Sequence, residues 1–517
     1  MNDVTVQDGK IWIEFPYSEG LVASVKRIAG ARWDADVRKW YLPARPLYAA
    51  LAKEFAIKYG FMIDHNIIQL TEKPKVNILD RSKLYEHQPA AVDFIHATNG
   101  NCILADDMGV GKTLEALWYA KEAGLKTILI VAPASVVYKW KNEVSTWLER
   151  EAEVVQSVAK GVPNSDILIV SYDLLWRLAN VFEERKFDLA IADESHMIKS
   201  KDAKRSEAFR RIHSDKKLFL SGTPFLNRPK ELFNILNMID PGEWSSWYAY
   251  ASRYCDGHHE YFGSKKVFIA NGSSNEEELK TRVSSLMIRR TKGEVAKYLP
   301  ELTRIVVPVD ITNKVEYNRA RKDLKAWLLE HGKDGLVTAL TKLTHLRMLV
   351  GSGKVKSAVE LALRALDSNP QRKVVLYAHH RDVVKALFPE FKDYGVQTIR
   401  GEDSQAERAR TIEQFQNKIN PRVLIITSAG GMGIDLYRAD TIIFVEREWS
   451  ASLEEQIESR LHRSGQKSAV TAYYLVARDT IDEYISWLVE HKRDIFDKII
   501  GSDQIEQQIL DEIRKEE

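Results

Sequence analysis

Cysteine is scarce in this sequence, where only Cys102 and Cys255 occur among 517 residues. Two cysteines so far apart form neither a disulfide framework nor the ligand spacing of a zinc site, which indicates a reducing compartment. No uninterrupted apolar run reaches the length of about 18 residues that a membrane-spanning helix needs. The first residues, MNDVTVQDGK, also lack the apolar core of a signal peptide. We therefore expect an intracellular protein without a membrane span, cytoplasmic or, in a eukaryote, nuclear.

The sequence also lacks an excess of charge of one sign, because 75 Lys and Arg residues stand against 73 Asp and Glu residues. A net charge of +2 excludes a polycation, so any surface that binds nucleic acid must be a local patch. Hydrophobic residues make up 44% of the chain and charged residues 29%. These values are typical of a globular protein and exclude a disordered or fibrous chain. At roughly 150 residues per domain, the length predicts about three domains.

The distribution of apolar residues divides the chain into three parts. Residues 1–62 combine short alternating strands, such as Lys10–Phe15, with a helical pattern at Tyr48–Lys58. Residues 64–80 are polar and carry Pro74, so we expect a linker there and a small N-terminal domain at 1–70. From residue 80 onward, short continuous apolar runs alternate with longer helices, which is typical of parallel sheets buried on both faces. Two such series, 80–300 and 301–517, predict two tandem α/β domains. We expect an insertion near 251–280 and a charged helical tail at 481–517.

The sharpest motif is ILADDMGVGKTLE at residues 103–115, where a strand leads through a glycine loop into a helix. Glycines allow backbone N–H groups to approach phosphate oxygens, and the positive end of the helix favours an anion. Lys112 would bind the β- and γ-phosphates, and the Thr113 hydroxyl would hold Mg²⁺. The general pattern has glycine where this chain has Asp106. The alternative interpretation is a glycine turn with a surface lysine. The candidate ATP contacts are Asp107, Met108, Gly109, Val110, Gly111, Lys112 and Thr113.

A pair of carboxylates ends the strand in DLAIADESH, residues 188–196. Ligands of open parallel sheets collect at the carboxyl ends of the strands. Asp193 could therefore hold Mg²⁺, while Glu194 could polarise the attacking water. Taken alone, an Asp-Glu pair after a strand is more often a solvated strand end. Its position behind a phosphate loop favours nucleotide hydrolysis.

Three further segments carry small or basic residues after predicted strands. In LFLSGTP, residues 218–224, the hydroxyls of Ser221 and Thr223 could hydrogen-bond the acidic motif, although an ordinary turn has the same sequence pattern. TSAGGMGIDL, residues 427–436, is a loop of small residues that lets backbone approach a ligand closely. In QIESRLHRSGQ, residues 456–466, Arg460 and Arg463 would share one face of a helix. They would be either a salt-bridged surface or arginine fingers that neutralise a transition state.

These motifs together resemble the superfamily 2 helicases and, within them, the Swi/Snf-type ATP-dependent DNA translocases. Order and spacing both agree over roughly residues 82–495. The segments similar to family motifs I, Ia, II, III, V and VI are LADDMGVGKT, APASVVYKW, DESH, SGTP, TSAGGMGIDL and QIESRLHRSGQ. RYCDG (253–257), MIRRTKGEVAKYLPE (287–301) and LYAHHRD (376–382) also resemble that family.

The resemblance implies two RecA-like domains that use ATP and Mg²⁺. It assigns adenine recognition to Gln88 in LYEHQ, further nucleotide contacts to Gly433 and Asp435, and arginine fingers to Arg460 and Arg463. It makes Lys139, Thr427 and Ser428 candidate contacts to the DNA backbone. The residues implied to couple the ATP and DNA sites are His196, Ser221, Thr223 and Gln456. Two positions depart from the family: Ser459 replaces an aspartate, and Asp435 replaces an asparagine or threonine.

Three segments resemble those of the annealing-helicase branch, which remodels replication forks: RYCDG, the AHH of LYAHHRD, and HRSGQ. GARWDADVRKWYLP (30–43) is similar to the HARP domain, the DNA-structure-binding module of that branch. Trp33, Asp34, Lys39 and Trp40 carry this likeness, and Lys39 is the candidate DNA contact. The alternative is a small domain whose tryptophans belong only to its core.

We therefore expect an ATP-dependent DNA translocase or helicase that acts as a monomer on duplex, forked or branched DNA. It would remodel forks or junctions by annealing, fork reversal or branch migration. Three alternatives remain open at this point: a strand-separating DNA helicase, an RNA helicase, and a DNA-binding scaffold with an inactive ATPase.

Overall fold

The computed structural model describes ten stretches of the chain: 2–28, 30–71, 79–222, 229–262, 265–295, 297–331, 336–428, 433–449, 451–463 and 465–495. The chain divides into two compact units. The first contains residues 1–107 and 111–291, and the second contains 108–110 and the residues from 292 onward. Within the described stretches, we find no helix whose length and hydropathy would let it cross a membrane.

The first unit begins with a small domain built on a five-stranded mixed sheet of order β3-β4-β2-β1-β5. Helix α2 begins with a proline in its first turn and is capped at its C-terminal end by Gly60, whose φ of 68° suits a residue without a side chain. The core of this domain includes Val4, Ile11, Ile13 and Leu42. Its elements are β1 (Asp3–Gln7), β2 (Lys10–Glu14), α1 (Glu19–Lys26), β3 (Arg32–Asp34), β4 (Lys39–Pro43), α2 (Pro46–Tyr59), β5 (Met62–Ile63) and α3 (His65–Thr71). The linker predicted at 64–80 is wrong over residues 65–71, which form α3 because Ile67 and Leu70 pack on the core of this domain. Residues 72–78 lie outside the described residues.

The rest of the first unit is an α/β domain on a seven-stranded parallel sheet of order β16-β6-β13-β11-β7-β9-β8. Strands β6, β7, β9 and β11 are entirely buried, as their continuous apolar runs predict. The elements before the phosphate-loop helix are α4 (Gln88–Ala97) and β6 (Cys102–Leu104). From that helix to the acidic motif they are α5 (Lys112–Glu122), β7 (Ile128–Ala132), α6 (Val137–Leu148), β8 (Glu153–Val154), β9 (Ile167–Ser171), α7 (Tyr172–Arg177), α8 (Ala179–Glu183), β10 (Lys186–Phe187) and β11 (Leu189–Ala192). The remaining elements are α9 (Lys204–Arg210), β12 (His213–Ser214), β13 (Lys217–Leu220), α10 (Pro229–Ile239), α11 (Trp247–Tyr254), β14 (His258–Phe262), β15 (Lys265–Ile269), α12 (Glu276–Val283) and β16 (Met287–Ile288).

The second unit is an α/β domain on a six-stranded parallel sheet of order β17-β22-β21-β18-β20-β19. Its first elements are α13 (Lys292–Val295), β17 (Leu302–Val309), α14 (Lys314–His331), α15 (Leu336–Gly353), α16 (Val355–Asp367), β18 (Val374–Tyr377) and α17 (Arg381–Leu387). Its later elements are β19 (Val396–Ile399), α18 (Gln405–Asn417), β20 (Val423–Ile426), β21 (Thr441–Phe444), α19 (Ala451–Glu458), β22 (Val470–Ala477) and α20 (Ile481–Ile495). The predicted α/β class with two RecA-like parallel-sheet domains is confirmed. Residues 496–517 of the predicted tail lie outside the described residues.

One local prediction is wrong, because Arg460 and Arg463 do not share a helix face. Helix α19 ends at Glu458, and both arginines lie in the turns that follow. The Ser459 hydroxyl donates to the carbonyl of Gln456 at 2.7 Å, and the N–H of Arg460 donates to Ile457 at 3.0 Å instead of continuing the α-helical pattern. A serine that bonds the preceding turn competes with the helix for a carbonyl acceptor.

Candidate active site

The phosphate loop joins β6 to α5 and is shaped by two glycines. Gly109 has a φ of 85° and Gly111 a φ of 102°, in the left-handed region that only glycine enters without strain. Gly111 caps α5 without any side-chain hydrogen bond, so the first N–H groups of the helix are left for a ligand. A helix end of this kind is a natural anion site.

Lys112, the first residue of α5, folds back over this loop. Its Nζ donates to the carbonyl oxygens of Asp106 at 2.5 Å and Asp107 at 3.0 Å. Burial lowers the pKa of Lys112, while Glu194 and other nearby carboxylates act in the opposite direction. Thr113 follows it and is half-buried. The cation is thus held inside the loop, where it can exchange carbonyl oxygens for phosphate oxygens.

Asp193 and Glu194 follow β11, as the sequence predicts. The Asp193 carboxylate accepts from Trp140 Nε1 at 2.8 Å and from the N–H of Glu194 at 3.0 Å. Tyr172 donates its hydroxyl to the carbonyl of Asp193 at 2.7 Å. Burial, and then the adjacent charge of Glu194, raise the pKa of Asp193 to about 6. A divalent cation would reverse this shift, because it favours the ionised carboxylate.

The backbone of Glu194 adopts the left-handed conformation, with a φ of 49°. A non-glycine residue in that region carries strain that often marks a functional site. His196 Nδ1 lies 3.4 Å from a carboxylate oxygen of Glu194. The motif therefore presents two carboxylates with different surroundings, one fixed by Trp140 and one facing a histidine.

Strand β13 lies between β6 and β11 in the sheet. Ser221 follows it, is buried, and donates its N–H to the carbonyl of Leu104 in β6 at 3.0 Å. The phosphate loop, Ser221 and the acidic pair therefore lie at the carboxyl ends of three neighbouring strands. Thr223 lies outside the described residues.

Sequence reasoning missed the cluster around Arg290. Its backbone N–H and Nε donate to the Asp106 carboxylate at 2.7 and 2.9 Å, and Nη1 donates to the carbonyl of His87 at 2.5 Å. Nη2 donates to Glu115 at 3.1 Å. Burial, and then the charge of Asp106, raise the pKa of Glu115 to about 8. Asp106 thus replaces the general glycine because it anchors Arg290, a residue whose only sequence signal was the likeness of MIRRTK to the family.

Gln88 lies beside the loop and is fully buried. Its Oε1 accepts from the N–H of Tyr85 at 2.9 Å, and its Nε2 donates to the carbonyl of Gly111 at 3.4 Å. The structure thus brings Gln88 to the phosphate loop, as its predicted role requires.

The second unit holds the remaining predicted nucleotide residues. Arg463 is ion-paired with Asp435, and the carbonyl of Arg460 accepts from the N–H of Leu436 at 2.8 Å. Gly433 has a φ of 76° and shares this loop. The structure thus joins the loop of motif V to the turns of motif VI. Gln456 lies on α19, where its carbonyl accepts the Ser459 hydroxyl.

The predicted DNA contacts lie on separate elements. Lys139 is on α6, one residue before Trp140, and Thr427 and Ser428 follow β20. Lys39, on β4, pairs with Glu14 at 2.7 Å and is still partly exposed. Among the described residues no cluster of three or more His, Cys, Asp or Glu side chains could hold a metal ion. The chemistry of Thr113 and Asp193 fits a magnesium ion that nucleotide phosphates also bind.

Comparison with known proteins gives two family matches. The SNF2-related domain matches residues 87–352, and the helicase conserved C-terminal domain matches residues 353–465. The chain is 30% identical over 525 residues to a Caenorhabditis elegans homolog of the SWI/SNF-related matrix-associated actin-dependent regulator of chromatin subfamily A-like protein 1. That match covers 95% of this chain and 74% of the nematode protein.

Two further proteins are similar over large parts of this chain. The human DNA annealing helicase and endonuclease ZRANB3 is 31% identical over 452 residues, which is 81% of this chain but only 41% of the human protein. The solved structure of the Sulfolobus solfataricus SWI2/SNF2 ATPase core in complex with dsDNA is 25% identical and has a TM-score of 0.40. This match covers 86% of the present chain and 98% of the Sulfolobus chain.

Proposed function

Because this chain belongs to the SNF2-related family, we propose that it is an ATP-dependent DNA translocase that remodels forked or branched DNA. The observation that carries the proposal is that the phosphate loop of Lys112 and Thr113 and the Asp193–Glu194 pair lie at the same edge of one sheet, at the ends of β6 and β11, with only β13 between them. These residues lie within 87–352, which the SNF2-related domain matches, and the helicase conserved C-terminal domain matches the following residues, 353–465.

In the proposed mechanism water attacks the γ-phosphate of ATP and breaks its bond to the β-phosphate, which releases ADP and phosphate and drives movement. Lys112 binds its phosphates together with the N–H groups of the glycine loop, and Gln88 recognises the base. Thr113 and Asp193 hold Mg²⁺. Glu194 accepts a proton from the attacking water, and His196 orients that carboxylate.

The second unit contributes Arg460 and Arg463 as candidate arginine fingers, which neutralise the charge of the transition state. Lys139, Thr427 and Ser428 are the candidate contacts to the DNA backbone. Contacts to phosphates are independent of sequence, as a motor that moves over any DNA requires.

We assign recognition of DNA structure to residues 2–71, the HARP-like domain. Trp33 is 51% exposed, and its ring contacts that of Trp40 in a tilted arrangement with 5.5 Å between centroids. Trp40 in turn packs against the core. An exposed ring supported by Trp40 can stack on an unpaired base. Lys39 is opposite Asp34 and therefore lies on the other face of the sheet, where it is a separate candidate contact to the DNA backbone. The match to the nematode relative covers 95% of the chain, so most of this domain lies within the region that the two proteins share.

The test is ATP hydrolysis measured without nucleic acid and with single-stranded, duplex, forked and four-way DNA, and with duplex RNA. We expect stimulation by DNA that is strongest with branched DNA and weak with RNA. Glu194→Gln should abolish the stimulated rate while ATP binding persists, because an amide cannot accept the proton. Hydrolysis at the same rate with and without every DNA would contradict the proposal, and stronger stimulation by RNA would favour an RNA helicase.

A further inference from the structure

The insertion between α11 and α12 forms an antiparallel hairpin, β14 paired with β15, that is not part of the parallel sheet. In its register His259 is opposite Phe268, and Tyr261 is opposite Lys266. Opposed residues and residues two apart along a strand lie on the same face. These four side chains therefore share one face, which we name the aromatic face.

The base of the hairpin is held by the RYCDG motif, residues 253–257. None of these residues contributes to the ATP site described above. Arg253 Nε and the Tyr254 hydroxyl donate to Glu278 of α12 at 2.8 and 2.7 Å. The N–H of Asp256 donates to Ser274 at 3.1 Å. A side chain at Gly257 would approach the carbonyl of Ala251 to 2.6 Å, so only glycine permits this close turn. The motif thus connects the base of the hairpin to α11 and α12 through hydrogen bonds.

Tyr248 of α11 extends the aromatic face. Its ring lies 4.8 Å from that of Phe268, and its hydroxyl is 3.4 Å from His259 Nε2. Tyr248 is 55% exposed and Tyr261 is 71% exposed. The Tyr248 ring therefore faces solvent on the packed rings of His259 and Phe268. Tyr261 lies two residues beyond His259 on the same face, and its ring is open to solvent.

The charge around this face suits a polyanion. Glu260, the carboxylate nearest in the hairpin sequence, lies on the opposite face, where it is 3.1 Å from His258. Lys266 stands next to Tyr261 on the aromatic face and has no ion pair with any described residue. A groove of about 700 Å³, which we name the lysine groove, runs along β15 and is lined in part by Lys199, Lys201 and Lys230 together with Asp202 and Glu231. Lys199 pairs with Glu231 at 2.7 Å and Lys230 donates to Asn271 at 2.8 Å, so a phosphate would have to compete with these partners.

We propose that the aromatic face binds unpaired nucleobases of a DNA fork or junction by stacking on Tyr261 and Tyr248, with the adjoining phosphates at Lys266 and the lysine groove. Every base presents a π-face, so such a platform accepts any sequence, and nearby lysines complement the backbone. The face holds aromatic rings and a cation but no aliphatic side chain, which suits nucleobases better than an apolar protein partner. The choice of DNA as the polyanion rests on the proposed function.

The test compares the binding of the full chain to a duplex and to the same duplex with two unpaired arms, without ATP. An arm base next to the junction is replaced by 2-aminopurine, whose fluorescence falls on stacking. Tyr261→Ala should weaken binding of the forked DNA about fivefold or more, and should remove the quenching of 2-aminopurine. Binding of the blunt duplex and duplex-stimulated ATP hydrolysis should be unchanged. Tyr261→Phe keeps the ring and should behave as the unchanged protein.

Unchanged fork binding by Tyr261→Ala would overturn the inference and leave the face to another occupant, such as a protein. Equal loss of affinity for the fork and the blunt duplex would overturn it too, because it would reveal a general backbone contact. The proposed function fails separately, if the unchanged protein shows no DNA-stimulated ATP hydrolysis. Fork binding that depends on Tyr261 would support the stacking site in that case as well.

Discussion

The guanidinium of Arg463 is ion-paired with the carboxylate of Asp435. The pair joins the proposed arginine finger to the position where the family usually has an asparagine or threonine. Both side chains are only partly buried, with 19% and 33% of their surface exposed. A pair of this kind is worth about 1 kcal/mol or less, so a phosphate can compete with the carboxylate for Arg463.

We expect Asp435→Asn to raise the DNA-stimulated turnover number about two- to fivefold, because the amide no longer holds the guanidinium by charge. The measurement is steady-state ATP hydrolysis at saturating DNA. Arg463→Ala provides the comparison and should lower turnover by on the order of 10³ with DNA affinity nearly intact. If Asp435→Asn loses as much activity as Arg463→Ala, then Asp435 positions the finger instead of restraining it.

Asp106 and Glu115 both contact Arg290, yet we expect very different effects of removing their charges. Asp106→Asn leaves a largely buried arginine without its main partner, which typically costs about 3–5 kcal/mol. Glu115 has a pKa of about 8 and is mostly neutral at pH 7, so Glu115→Gln replaces a protonated acid by an amide of the same shape. Thermal unfolding at pH 7 should show a drop of roughly 10 °C for Asp106→Asn and little change for Glu115→Gln. Equal drops would mean that Glu115 is ionised in the folded protein.

The small N-terminal domain is tied to the adjoining α/β domain by two arginines. Arg45 pairs with Asp240, and Arg32 Nη2 lies 3.0 Å from a carboxylate oxygen of Glu243. Arg32 also donates to the carbonyl of Glu243 at 2.8 Å. Burial, and then the charge of Glu243, raise the pKa of Tyr48 to about 12, so this tyrosine stays neutral within the interface.

We expect the double variant Arg32→Ala, Arg45→Ala to lose fork reversal or branch migration severalfold while it keeps duplex-stimulated ATP hydrolysis. The reason is that a structure-recognising domain directs the motor only if it is fixed to it. Both activities are measured on the same preparation. Arg27→Ala removes one exposed charge from the same domain and should change neither activity. Equal loss of both activities in the double variant would show that the contact serves folding alone.

Stability should depend on pH through Lys217, the first residue of β13. Its Nζ makes one hydrogen bond, 3.3 Å long, to the carbonyl of Arg210. Burial, and then the charge of Arg210, lower its pKa to about 8 from 10.5. Below pH 8 the lysine is protonated in both states and the cost of burying its charge is present in full. Between pH 8 and 10.5 only the unfolded chain keeps the proton, so this cost is relieved as the pH rises.

Lys217→Met should therefore raise the unfolding temperature most at pH 7, and its advantage should shrink steadily towards pH 10. The measurement is thermal unfolding of both proteins at pH 7, 8, 9 and 10. Lys186→Met serves as the control, since Lys186 is 73% exposed and should show no such trend. An advantage that stays constant with pH would contradict the lowered pKa.

The sequence alone determined the elements that local patterns encode. Apolar runs occupy 127–131, 167–170 and 189–192 in the sequence, and the strands Ile128–Ala132, Ile167–Ser171 and Leu189–Ala192 match them to within a residue. The reason is that a strand covered on both faces must be apolar throughout. The phosphate loop and the Asp193–Glu194 pair could also be found from the sequence, because the residues of each motif are adjacent in the chain.

Tertiary structure decided which distant residues complete these motifs. Arg290 lies 184 residues from Asp106, and Trp140 lies 53 residues from Asp193. No spacing rule connects them. The end of α19 at Glu458 and the pairing of Arg463 with Asp435 depend likewise on which acceptors and charges lie within reach. A hydrogen bond or ion pair is specified by distance in space, and the chain sets that distance only after its sheets have brought their strand ends together.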